Sequence, residues 1–194
     1  MNGRVRLEQL RNLAQTPRGA VARSAAKPSR KGSTSSAADP ADHQGGNING
    51  AGTRTIRLLL VDDRAAVRTG LRIWFALQPD LEVVGEASDG SEAISLARTL
   101  HPDVVLIDVE MPGMDGISAT AALRSLAPQS AVVILTLYDD AVTRTRAQEA
   151  GAAAFVAKYR IEETLLAEIR RVAMAHEKQR RQERSVKRQE GSET

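Results

Sequence analysis

The sequence predicts an α/β fold, a parallel sheet covered by helices on both faces. Three observations carry that prediction. Short aliphatic runs alternate with segments of helical apolar spacing, five times over in about 120 residues. The central run, Val104 to Ile107, is wholly aliphatic and too short for a stable helix, as a strand buried on both faces would be. Polar residues stand where four of the runs end: Asp62 and Asp63, Asp108, Thr136 and Lys158. The carboxyl ends of strands are where open α/β sheets bind ligands.

Each element follows from its residues. Ile56 to Val61 reads as the first strand, with Asp62-Asp63 at its end. Val67, Leu71, Trp74 and Phe75 recur at helical spacing, with Arg68 and Arg72 outward, until Gln78-Pro79-Asp80 stops the helix. Leu81 to Ala87 is a second strand whose Glu82 and Glu86 suit a sheet edge. Asp89 and Glu92 resemble a capping box, opening a helix with Ala93, Leu96, Ala97 and Leu100 on its apolar stripe. After Val104 to Ile107 and Asp108, Met111 to Gly116 is a turn, because proline fixes φ and glycine permits positive φ. Ala119, Ala122, Leu123 and Leu126 mark the third helix, and Ala131 to Leu135 the fourth strand, ending at Thr136.

Residues 141–150 read as a weakly anchored helix, with Val142 its only large aliphatic and Gly151 its cap. Ala153 to Ala157, enclosing Phe155, is the fifth strand, and Lys158 follows it. Ile161, Leu165, Ile169, Val172 and Ala173 define the last helix, whose apolar pattern dissolves from Lys178 to Arg188. Right-handed crossovers leave few topologies. The flavodoxin-like (βα)5 order, 2-1-3-4-5, puts Asp62, Asp63 and Asp108 at the switch point between strands 1 and 3.

The ends of the chain differ from its middle. The net charge of +3 divides into +6 over residues 1–54, −5 over 55–175 and +2 over 176–194. The basic balance therefore belongs to the ends and is a poor warrant for nucleic-acid binding by the domain. Residues 1–54 read as a disordered basic, Ser- and Gly-rich extension that buries too little to offset its ordering entropy. Scarce acids before Asp39 also permit an organelle transit peptide. Residues 55–175 read as the domain, and 176–194 as a charged helical or disordered tail. No apolar run approaches the ~18 residues of a membrane span. The absence of cysteine excludes disulfides and thiolate metal sites, and fits a cytoplasmic protein.

Three clustered carboxylates repel one another and call for a cation. Oxygen ligands without His or Cys suit a hard ion such as Mg2+, which often bridges to a phosphoryl oxygen. Lys158 adds a compact positive charge and Thr136 a hydroxyl, completing a site for a multiply charged anion. Taken singly, each residue has a plainer reading: loop acid, strand-end threonine, core Phe155, surface lysine. Arg124, Arg144 and Arg146 read as solvated surface.

Four segments then carry a family resemblance: LLLVDD at 58–63, VVLIDVEMPGMDG at 104–116, VVILTLYDD at 132–140 and GAAAFVAK at 151–158. In that order and spacing, residues 56–175 resemble the receiver domain of two-component response regulators, nearest to LuxR/NarL-type receivers. The resemblance implies that Asp108 accepts a phosphoryl group from a sensor histidine kinase or phosphotransfer protein. It implies Mg2+ on Asp63, Asp108 and the Glu110 backbone carbonyl, with Asp62 binding directly or through water. Lys158 would pair with the phosphoryl group. Thr136 would swing to it and Phe155 turn inward, switching the surface around strands 4–5 and helices 4–5. It implies no enzyme beyond slow self-dephosphorylation, and allows a phosphorylation-dependent homodimer.

Tyr159 stands where many receivers have proline after the lysine, often cis. Because a non-proline cis bond costs ~2.5–4 kcal/mol, a trans bond is expected. Leu137 stands where Ala or Ser is common, and Glu110 and Tyr138 occupy positions that tune dephosphorylation. About 20 residues follow the last core helix, less than a LuxR-type helix-turn-helix needs, so a stand-alone receiver is the first expectation. The alternative is a DNA-binding transcriptional regulator truncated of, or lacking, that domain, or one using its basic ends. A metal-dependent phosphatase is disfavoured, because Glu110 stands where that class has a second Asp.

Overall fold

The structure, a computed structural model, describes residues 54–137 and 139–190. The basic extension before Arg54, Tyr138 and residues 191–194 lie outside the described residues. Five strands form one parallel sheet: β1 (Ile56–Val61), β2 (Leu81–Ala87), β3 (Val104–Ile107), β4 (Ala131–Thr136) and β5 (Ala154–Ala157). Their order is 2-1-3-4-5, as the flavodoxin-like reading expects. The helices are α1 (Ala65–Phe75), α2 (Gly90–Leu100), α3 (Gly116–Leu126), α4 (Ala141–Glu149) and α5 (Ile161–Glu190), the last preceded by a 3-10 turn at Lys158–Arg160.

Strand alternation divides the core in two. Leu58, Leu60, Leu106 and Val133 face one side, where Phe75 of α1 and Leu165 of α5 pack. Leu59, Val61, Ile107 and Ile134 face the other, under Ala97 of α2 and Leu123 of α3. Burial of Leu165 and Ile169, both fully enclosed, contributes about 2 kcal/mol each. β2 is the edge strand its glutamates predict, and a bulge opposite Leu58 and Leu59 breaks its register with β1.

Helix ends follow local chemistry. The Asp89 carboxylate accepts from the backbone N–H groups of Ser91 and Glu92, capping α2. Glu92 reaches back to the N–H and hydroxyl of Ser88 rather than to the cap residue itself, one position off the usual box. Asp140 caps α4 through the Thr143 N–H at 2.9 Å. Only Ala147 of α4 is buried, and Val142, its one large aliphatic, is 69% exposed. The helix therefore rests on caps and polar contacts more than on burial. It closes at Gly151 with φ 95°, a conformation that glycine adopts without strain.

One expectation is revised. Arg68 does not point to solvent: it donates to the Asp62 carbonyl at 2.5 Å and pairs with Glu86 at 3.2 Å. Its helix position lies beside the ends of β1 and β2, and a long side chain there reaches both. The last helix runs past its apolar pattern unbroken to Glu190, the helical one of the two forms left open for the charged tail. Beyond the core its first turns still touch the domain, with Glu177 paired to Arg54 and Arg180 near the Gln129 carbonyl.

Arg170 fastens α5 to the turn before β2 with a two-pronged contact to Asp80, at 2.7 and 2.8 Å. The hydrogen bond from Arg170 lowers the Asp80 pKa. A lowered carboxyl pKa stabilises the fold above the unfolded value and loses that contribution as pH falls through the folded one. Asp80→Asn should therefore cost about 1 kcal/mol near neutral pH, since solvent screens the pair. The gap from wild type should narrow as urea unfolding is repeated from about pH 7 down to about pH 3. A constant gap would mean the charge plays no part.

Candidate functional site

Three strand ends converge at one point. The Asp108 N–H donates to the Val61 carbonyl at 2.9 Å, so the end of β3 sits directly beside that of β1. The Asp62 N–H donates to the Ala87 carbonyl at 3.2 Å, and its carboxylate accepts from the Arg64 N–H at 2.9 Å. Asp62 and Asp108 are thus fixed by backbone pairing at the crevice where the strand order reverses. Asp63 stands beside them, half-buried. One carboxylate oxygen from each of Asp62, Asp63 and Asp108 lies within 4.8 Å of the others.

Lys158 enters from the end of β5. Its Nζ donates to Asp62 Oδ2 at 2.6 Å and to Asp108 Oδ2 at 2.8 Å. All three side chains are buried, with Lys158 2% exposed. A buried ammonium is tolerated when paired and hydrogen-bonded, and here it has two carboxylates. Burial raises the Asp108 pKa. The ammonium of Lys158 opposes that shift, the charge of Asp62 adds to it, and the Glu110 N–H also favours the ionised form.

Three carboxylates and one ammonium leave two uncompensated negative charges. A divalent cation would cancel them, and the oxygen donors are the kind Mg2+ prefers. The residues present therefore fit the metal expected from the sequence. Gly116, the first residue of α3, donates its N–H to the Val109 carbonyl at 3.0 Å. A β-carbon there would overlap the Asp108 carbonyl. The absence of a side chain at position 116 is what lets α3 begin directly under the acidic cluster.

Thr136 ends β4, fully buried and level with Ala157 in the neighbouring strand. Phe155 is half-buried on the α4 side of the sheet. The peptide before Tyr159 is trans, as expected, since the described residues contain no cis bond. Arg144 was missed. Its guanidinium stacks over the Phe155 ring, 4.7 Å from the centroid, and pairs with Asp139. Tyr159 donates to the same carboxylate at 2.8 Å. Arg144 and Asp139 are near in sequence, but the two aromatic partners come from beyond α4, and single-sequence spacing does not link them. Among the described residues no helix is long and apolar enough to cross a membrane.

Comparison with known proteins gives the family of this fold. The transcriptional regulatory protein LiaR of Bacillus subtilis is 51% identical over 86 residues, 44% of this chain and 41% of its own length. The response regulator GacA of Pseudomonas aeruginosa is 42% identical over 117 residues, 60% and 55% of the two chains. The chain thus spans about half the length of the curated relatives it matches. The crystal structure of a LuxR-family two-component response regulator from Aurantimonas superposes with a TM-score of 0.60 at 35% identity, covering 62% of this chain and 86% of that one. The family model of the response regulator receiver domain matches residues 58–170. With that match over more than half its length, and with the strand order and acidic cluster in place, the chain belongs to the response regulator receiver domain family.

Proposed function

We propose that this protein is a Mg2+-dependent phosphoacceptor in two-component signal transduction, with Asp108 as the accepting residue. The observation that carries the reading is the convergence of Asp62, Asp63 and Asp108 on one point, with Lys158 bonded to two of them. Residues 55–175 form the receiver unit, and 176–194 continue from it. The phosphoryl donor is a sensor histidine kinase or phosphotransfer protein, and the setting is the cytoplasm.

The chemistry follows from the charges. An Asp108 carboxylate oxygen attacks the phosphorus of a phosphohistidine. The new O–P bond forms as the P–N bond breaks. Its electron pair returns to the imidazole, which takes a proton from solvent, leaving an acyl phosphate on Asp108. Asp63, Asp108 and the Glu110 carbonyl would hold Mg2+, with Asp62 direct or through water. When bound, the metal supplies stabilisation of charge on the transferring group. Lys158 is already at Asp108 and needs only to re-pair toward the phosphoryl oxygens. Most of the catalysis is positioning and electrostatics. The phosphoryl adds about −1.5 to −2 charge. Thr136 turns toward it and Phe155 follows into the vacated space, biasing a surface whose α4 is lightly anchored. Self-dephosphorylation is slow.

After incubation with acetyl phosphate and Mg2+, wild type should show a retarded band on a phosphate-affinity gel and Asp108→Asn none. A band that persists in Asp108→Asn would place the acceptor elsewhere. A second reading is favoured by the names of the relatives, transcriptional and response regulators about twice as long as the stretch matched. In it, the chain is the receiver part of a DNA-binding regulator. Reading the coding DNA past Thr194 separates the two.

A further inference from the structure

Phe155 is held from outside by a three-residue clasp. The Arg144 guanidinium lies 4.7 Å from the ring centroid, the contact distance of a cation–π pair. Arg144 is an exposed side chain on a helix with one buried residue, so packing does not fix it. Asp139, in the β4–α4 loop, does so by pairing with it. Asp139 is in turn held by the Tyr159 hydroxyl at 2.8 Å. The hydrogen bonds from Tyr159 and Arg144 both lower the Asp139 pKa, so the carboxylate stays charged and the arrangement persists at neutral pH. Arg144 thus touches the switch residue Phe155 directly, Asp139 holds Arg144, and Tyr159, which holds Asp139, occupies the position at which this sequence departs from the usual proline.

We propose that Arg144, Asp139 and Tyr159 act as positioning residues that hold Phe155 outward and so set how readily the receiver switches. This rests on the phosphoacceptor reading and adds to it the residues that resist the change. For Phe155 to turn inward, its ring must leave the guanidinium. The clasp therefore stabilises the unphosphorylated form alone. A contact made in one state only shifts the equilibrium by its own worth. By linkage, breaking it raises the affinity for any phosphoryl group or mimic that favours the other state.

The chain has only two phenylalanines, and Phe75 is fully buried at the end of α1, so fluorophenylalanine labelling gives one resonance for each. In wild type, Mg2+ and beryllofluoride should move the Phe155 resonance and leave that of Phe75 in place. Without metal or beryllofluoride, Arg144→Gln and Asp139→Asn should each move Phe155 part of the way in the same direction. Tyr159→Phe should do so less, and Arg144→Lys should stay nearer wild type. Beryllofluoride should bind Arg144→Gln about two- to fivefold more tightly, the worth of an exposed cation–π contact. A Phe155 resonance unmoved in metal-free Arg144→Gln and Asp139→Asn, or an unchanged affinity, overturns the clasp. A wild type that never responds to beryllofluoride overturns the phosphoacceptor reading instead, and that result is read on a different sample.

Discussion

Lys158→Met should destabilise the metal-free protein by about 3 kcal/mol, the lower range for breaking a buried ion pair from one side. The methionine stem fills nearly the same space, so packing changes little. What is lost is the ammonium that bonds Asp62 at 2.6 Å and Asp108 at 2.8 Å. Two buried carboxylates are then left facing each other with no cation. Two conditions should restore stability. Saturating Mg2+ supplies the missing charge, and a ligand at about 100 times its dissociation constant returns about 2.7 kcal/mol. Lower pH should also help. A carboxyl whose folded pKa is raised, as that of Asp108 is, binds protons more readily folded than unfolded. Its ionisation therefore costs stability as pH rises above the unfolded value, and that cost is recovered on acidification. Urea unfolding in chelator, in Mg2+ and at two pH values would measure all three effects. A variant as stable as wild type in chelator would show that Lys158 does not offset the carboxylates.

The parts legible in the sequence are those set by local periodicity. The bounds of β1 and β2 fall where the aliphatic runs begin and end, because each run has a face to bury. The edge position of β2 follows from Glu82 and Glu86. The assembly of Asp62, Asp108 and Lys158 is not local: Lys158 is 96 residues from one partner and 50 from the other. Family resemblance, added to strand-end position, is what brought them together. The same limit explains the misses. Arg68 and Arg144 sit at positions that helical spacing assigns to solvent, and their partners come from other elements. For the end of α5 the sequence left helix and disorder both open. Beyond Ala173 it buries little, and a solvated helix leaves no apolar period to read.

Gly116→Ala tests whether the backbone under Asp108 tolerates any change. At the first turn of an ordinary helix alanine would be welcome, because it costs less conformational entropy than glycine. Here the added β-carbon would overlap the Asp108 carbonyl oxygen, standing 2.8 Å from its carbon and 3.1 Å from Val109 Cα. These are backbone atoms, and no rotamer change relieves the contact. Either α3 backs away from the sheet or the chain carrying Asp108 shifts. The expected cost is about 3 kcal/mol, the upper range for overpacking. A displacement of ~1 Å at the acceptor should also slow phosphorylation on the order of 100-fold even in the folded fraction. Gly113→Ala is the matched control. Gly113 has φ 76° and nothing within 4 Å of where its β-carbon would lie. That substitution should cost only the ~1–2 kcal/mol of a left-handed alanine. Thermal unfolding and the rate of modification by acetyl phosphate, measured on both variants, separate backbone strain from collision. Equal losses of rate at the two positions would mean that the collision at Gly116 adds nothing particular to the acceptor's geometry. A loss of rate confined to position 116 would mean that the close seating of α3 under Asp108 is itself part of the acceptor's geometry.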